Sequence, residues 1–176
     1  MELPNFWSII GALCLVAGST WFGRVYGKRF QERVEFLRDV QNRLEVLKQE
    51  ILFFKGVLAD SFQKAATAQG PSKPLFVMML EALQKEEAAE VANMWDSCCK
   101  KVYKEIYLTQ EERDVVGTIG HLLGTSDVDG QRNNLEVIGA QLQRLEEKAE
   151  EERKKNQPLW QKIGPIAGVA VAVFLL

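Results

Sequence analysis

Apolar residues step by three or four along the chain from Val34 through Leu37, Val40, Leu44, Leu47, Ile51 and Phe54 to Leu58. That spacing gathers them into one heptad-like stripe on a helix face. Val91, Trp95, Cys98, Val102 and Ile106 form a second stripe, and Leu135, Ile138, Leu142, Leu145 and Ala149 a third. Between them, Gly56 is placed to end or bend the first helix, and Ala59 to Gln69 reads as a short second helix. Gly70, Pro71, Ser72 and Pro74 mark a turn, and a third helix is expected over Leu75 to Lys85, with a break near Glu86 before the fourth. Thr109-Gln110-Glu111-Glu112 is a capping box, so a fifth helix should start there and run to about Leu123. A loop over Gly124 to Gly130 precedes the last long helix, with Ser126 or Asp127 as its cap. Proline stands only at 4, 71, 74, 158 and 165, which leaves long stretches free of the strongest helix breaker. No useful strand alternation and no repeat of 20 to 50 residues appears. The pattern predicts an all-α fold, a small bundle of about six helices.

Polarity changes abruptly at both ends. Leu3 to Gly23 and Ile163 to Leu176 carry no charge, and all 22 Lys and Arg residues lie between them. Twenty-one helical residues reach about 31 Å, close to the hydrocarbon thickness, with Trp7 and Trp21 near the two ends. A cleaved signal peptide fits less well, because the only early charge is Glu2 and bulky Trp21 and Phe22 follow the small residues Ala17 and Ser19. The last fourteen residues reach only about 21 Å, extended by Trp160 to a snorkelling Lys162. Gly164, Gly168 and Ala172 form a small face there, and Gly11 and Gly18 another. Such faces let helices approach closely in lipid, although Gly and Ala are common in apolar helices anyway. These signals predict transmembrane helices over 3–23 and 163–176 flanking a helical domain over 24–162. Arg24, Lys28, Arg29 and Arg33 follow the first span, and Arg153, Lys154, Lys155 and Lys162 precede the second. The positive-inside rule then places the domain in the cytoplasm.

Charge and chemistry narrow the function. The formal charge of −2 gives no basic excess for nucleic acid. Cys14 lies in the apolar run and Cys98 and Cys99 are adjacent, which suits a reducing compartment and lacks the C-x-x-C spacing of redox or metal sites. His121 is the only histidine, so no His-based zinc cluster or triad forms within one chain. Asp127-Val-Asp129-Gly130 fails as a calcium loop, because its glycine comes at the fourth position instead of the sixth. No Walker motif is present, so ATP-driven work would fall to a partner. The acidic run from Glu146 to Glu152 interleaves with Lys148, Arg153 and Lys154 and reads as a solvated helix face. These residues predict no enzyme, no metal and no cofactor. One constellation stands out: Gly117, Gly120 and Gly124 share a face of the fifth helix, although each costs a helix interior about 1 kcal/mol relative to alanine. A close helix crossing or a hinge accounts for them, with a direct partner contact as the alternative, and Gly124 is also suited to a C-terminal cap.

The run Gly117-Thr-Ile-Gly120-His-Leu-Leu123-Gly124-Thr-Ser-Asp127, followed by Gln131, Leu135 and Leu142, resembles the stage III sporulation protein AB family of endospore-forming bacteria. Leu44 to Ile51, Lys73-Pro74-Leu75, the segment around Trp95, and the apolar run at each end fall where that family has them, so the resemblance covers essentially the whole chain. The resemblance implies a domain like the cytoplasmic helical bundles of F-type platform proteins in type II secretion and type IV pilus machines. It implies a place in the mother-cell membrane around the forespore, with the domain in the mother-cell cytoplasm and within the channel that joins the two cells. The implied partners are the stage III sporulation AA ATPase and the other channel components. Homo-oligomerisation is left open. The alternatives are a generic secretion or pilus platform subunit, which would carry two such domains, and a membrane-bound enzyme or sensor, which the missing catalytic groups disfavour.

Overall fold

The computed structural model describes residues 6–54, 58–85, 90–123 and 128–175, with side chains described over 10–51, 58–85, 90–123 and 133–174. Within those residues it is all helix: α1 (Phe6–Phe54), α2 (Leu58–Thr67), α3 (Lys73–Lys85), α4 (Val91–Val102), α5 (Gln110–Leu123) and α6 (Val128–Leu175). The apolar stripes place these helices closely, with two corrections: Ile106, expected on the fourth helix, lies four residues beyond the end of α4, where the chain turns, and Leu58, expected on the first stripe, opens α2. Gly56, Glu86, Gly124, Ser126 and Asp127 lie outside the described residues. Asp129 stands in the first turn of α6, as expected, and Gly130, expected in the preceding loop, is there with it.

The chain forms two compact units. Glu32–Lys148 makes one, and Met1–Gln31 with Ala149–Leu176 makes the other.

The Glu32–Lys148 unit buries Phe36, Leu37, Val40 and Leu47 of α1, Phe62 of α2, Leu75, Phe76 and Met79 of α3, Trp95 of α4, Val116 and Ile119 of α5, and Leu135, Leu142 and Leu145 of α6. Trp95 stands at its centre, 5.9 Å from the Phe62 ring and 5.6 Å, edge-on, from Phe76. Each such aromatic pair adds about 0.5–1.5 kcal/mol beyond its buried area. The indole N–H donates to the Val116 carbonyl oxygen at 2.8 Å, so the one polar atom of the ring is satisfied inside the core.

Two arginines on the α1 stripe are buried with that apolar core. Arg43 donates through Nε to Asp39 Oδ2 (3.1 Å) and Ser72 Oγ (3.0 Å), and through its two terminal nitrogens to the carbonyls of Ala65 and Ala68 (3.0 Å for Ala68). Its guanidinium also lies 5.4 Å from the Phe76 ring centre. Asp39 in turn accepts from the Ser72 N–H and hydroxyl at 2.9 and 2.7 Å. One side chain thus ties α1 to the end of α2 and to the Gly70–Ser72 turn, where Lys73 N–H donates to Gly70 O at 3.1 Å. The second, Arg33, is 3% exposed.

The other unit is an antiparallel pair made by the start of α1 and the end of α6. Gly23 faces Gly164, and Gly27 faces Gln157. A Cβ on Gly23 would sit 2.5 Å from the Trp160 carbonyl oxygen, and one on Gly164 2.6 Å from that of Ser19, so only glycine lets the two backbones come this close. Gly168 presses on Val16 and Ala172 is buried, so the small face foreseen on α6 is a helix crossing. Its partner face is Ser19, Gly23 and Gly27; Gly11 and Gly18 meet no side chain or backbone within 4 Å. Tyr26 stacks on Trp160 with ring centres 4.3 Å apart. Pro158 and Pro165 lie inside α6 and leave it unbroken. The carbonyls they free, four residues earlier, belong to the exposed residues Lys154 and Gln161.

The outer surface of this pair is apolar. Leu13, Trp21 (72% exposed), Phe22, Ile166, Val173 and Phe174 (91%) face outward. Among the described residues, however, no helix is long and apolar enough to cross a membrane. The transmembrane helices expected over 3–23 and 163–176 find no support there. Gly11, Gly18, Ser19 and Thr20 dilute the first run, whose first three residues lie outside the described range. The second run is diluted by Gly164, Pro165 and Gly168 and falls short in length.

Candidate functional site

The capping box forms as its spacing requires. Glu112 N–H donates to Thr109 Oγ1 at 3.3 Å, and Thr109 N–H donates to Glu112 Oε2 at 2.8 Å. Glu112 does more than cap. It is fully buried, and both its oxygens accept from Arg33 Nε, at 2.7 and 2.9 Å. Arg33, expected among the basic residues flanking a membrane span, is only 3% exposed and locks α1 to the start of α5. A charge buried this deeply needs its partner.

The neighbouring Glu111 points outward and meets α6, 3.0 Å from Lys148 Nζ and 3.5 Å from Arg144. The lysine hydrogen bond and charge hold its carboxyl below the usual range. The first turn of α5 therefore touches Arg33 on α1 and Lys148 on α6, the places where both long helices leave the Glu32–Lys148 unit.

The glycine motif divides by role. Gly120 sits against Trp95: a Cβ there would lie 2.6 Å from Trp95 Cγ and Cδ1 and closer still to its Cβ. This is the close α4–α5 crossing that the glycine spacing implied. Gly117 has room, the nearest atom being Asp96 Oδ1 at 3.9 Å. Leu123 is buried in the same core. Gly124 and Asp127 lie outside the described residues, and Gln131 falls in the first turns of α6 ahead of the described side chains. Of the remaining basic residues, Arg24, Lys28, Arg29, Lys154, Lys155 and Lys162 are exposed on the helix pair, and Arg29 rests 5.2 Å over the Tyr26 ring.

Among the described residues no cluster of His, Cys, Asp or Glu could hold a metal ion. Cys98 and Cys99 are free and buried. Burial raises both thiols, Cys99 to about 12, so neither is a thiolate near neutral pH. His121 is a surface residue 3.7 Å from Asp96. A cleft of about 350 Å³ between α3 and α4 is lined by Met78, Glu81, Lys85, Asn93, Ser97 and Cys98, and its Glu81 and Lys85 stand 4.0 Å apart as an exposed ion pair.

Sequence reasoning missed Arg33 as a core residue and Arg43 altogether. Both stand among the apolar positions of the α1 stripe, beside Phe36 and Leu44. An arginine in such a place signals a buried partner.

Residues 8–176 match the family model described as "Stage III sporulation protein AB (spore_III_AB)". The stage III sporulation protein AB of Bacillus subtilis (strain 168) is 27% identical over 170 residues, covering 96% of this chain and 98% of that protein. A solved structure titled "Stage III sporulation protein AB (SpoIIIAB)" is 25% identical and superposes with a TM-score of 0.65, over 70% of this chain and 98% of its own. This match along nearly the full length makes the chain a member of the stage III sporulation protein AB family.

Proposed function

We propose that this protein is a platform component of the channel complex between mother cell and forespore, and that it gives a cytoplasmic ATPase a foothold on the membrane. The carrying observation is the family match over residues 8–176. The helical body supports the same reading, because it offers rigid helix faces and no reaction chemistry. Membrane attachment is supported by the outward apolar residues of the α1–α6 pair, since an apolar surface of that kind needs lipid or protein to cover it. In this reading segments 3–23 and 163–176 enter the bilayer of the mother-cell membrane around the forespore. Arg24, Lys28 and Arg29, with Lys154, Lys155 and Lys162, then stay on the cytoplasmic side, where the Glu32–Lys148 unit meets the stage III AA ATPase.

Vesicles carrying the full chain should retain that ATPase. At least one single reversal on the exposed helix faces (Asp114→Lys, Glu136→Lys or Glu147→Lys) should reduce retention about tenfold, the scale of one desolvated charge pair at an interface. Retention that none of these changes alters, or no retention at all, would refute the coupling.

A further inference from the structure

Two groups in the furrow between α4 and α5 are left unaccounted for by the packing of the helical unit itself. The first is Arg113 on α5, a half-buried side chain. Among the described residues its Nε is buried and finds no acceptor. Its guanidinium lies 5.6 Å from the Tyr103 ring, which attracts the charge but offers the Nε–H no oxygen. A buried donor left without a bond is costly, and most such groups in folded proteins have a partner.

The second is Gly117. Glycine weakens a helix interior. Gly120 has its reason in Trp95, whose Cγ would lie 2.6 Å from an added Cβ. Gly117 has no such crowding: a Cβ there would meet only Asp96 Oδ1, at 3.9 Å. Its bare backbone is half-exposed, and a glycine of that kind admits another backbone at close range.

Arg113 and Gly117 stand four residues apart, so they share one face of α5. The facing wall of the furrow is α4. There the Tyr103 hydroxyl donates to the Arg113 carbonyl at 3.2 Å and holds the two helices together. Asp96, the carboxylate on that wall, lies 3.7 Å from His121. One occupant meets both needs. A carboxylate supplies the oxygens and the charge that a guanidinium binds most strongly, and a helix carrying it can pass closely over the glycine.

We propose that the α4–α5 furrow receives an acidic helix of a protein partner, with an Asp or Glu of that helix paired to Arg113 and its backbone crossing at Gly117. This rests on the coupling proposed above, with the stage III AA ATPase as the partner.

The test uses vesicles that carry the full chain and measures how much of that ATPase they retain. Arg113→Glu should cut retention about tenfold or more, the scale of a desolvated charge pair. Gly117→Ala should cut it about tenfold, because the methyl crowds the crossing. This second variant should also unfold at a higher midpoint, which separates lost binding from lost folding. Of single Asp-to-Arg and Glu-to-Arg changes in the ATPase, one should restore its retention by the Arg113→Glu chain. Wild-type retention by either variant would overturn the furrow contact and leave the coupling standing. A loss in Arg113→Glu that no such change repairs would overturn the acidic partner. No retention by the wild-type chain would overturn both readings.

Discussion

Replacing Glu112 by alanine is expected to destabilise the helical unit by about 3–5 kcal/mol, because it removes one partner of a buried, hydrogen-bonded ion pair. Loss of the Thr109 cap adds about 1 kcal/mol. Urea unfolding of the full chain in detergent, followed by far-ultraviolet circular dichroism, measures the sum. Glu112→Gln separates the two contributions, since its amide oxygen can still accept from Thr109 while the charge is gone. The double variant Arg33→Met/Glu112→Leu should recover most of the loss, because matched apolar side chains replace buried ion pairs at little cost. A loss under about 1 kcal/mol for Glu112→Ala would mean the pair is solvated and the α1–α5 lock is not one.

The second large effect is at Gly120. Alanine there should cost about 1–3 kcal/mol, because its methyl collides with the Trp95 stem, which cannot swing away without moving α4. The roughly 1 kcal/mol that alanine gains in helix propensity is too small to compensate. At Gly117, three residues earlier on the same helix, alanine meets only a carboxylate oxygen at van der Waals distance and should stabilise by about 0.5–1 kcal/mol. Opposite signs from identical substitutions on one helix, read as shifts in the unfolding midpoint, establish that Gly120 is a crossing point. Matching signs would contradict it.

Much of the fold was legible because its causes are local. The α5 start was readable from Thr109 and Glu112 alone, since a capping box needs only a spacing of three. The stripe from Val34 to Phe54 announced α1, and Gly70 to Pro74 announced the turn before α3. What stayed hidden depends on partners distant in sequence. Arg33 looked like one more basic residue after an apolar run, and only its meeting with Glu112, 79 residues away, makes it a core residue. Gly164 and Gly168 were visible as a small face, but sequence could not say that they meet Ser19 and Gly23 and not Gly11 and Gly18, because close approach is a property of two helices at once. Pro158 and Pro165 stand inside the last helix. α6 runs through both because packing against α1 sustains it where local bonding is lost. The glycine motif was half readable, with Gly120 as a crossing and Gly117 as a position where nothing crowds.

Whether the apolar outer face of the α1–α6 pair is covered by lipid is the question on which the platform reading turns. Density-gradient flotation of the full-length chain with liposomes, washed in alkaline carbonate, answers it directly. The chain should rise with the lipid and stay there through the wash. A chain that remains at the bottom of the gradient with both ends intact, or that the wash strips off, would show that something other than a bilayer covers Trp21, Ile166 and Phe174.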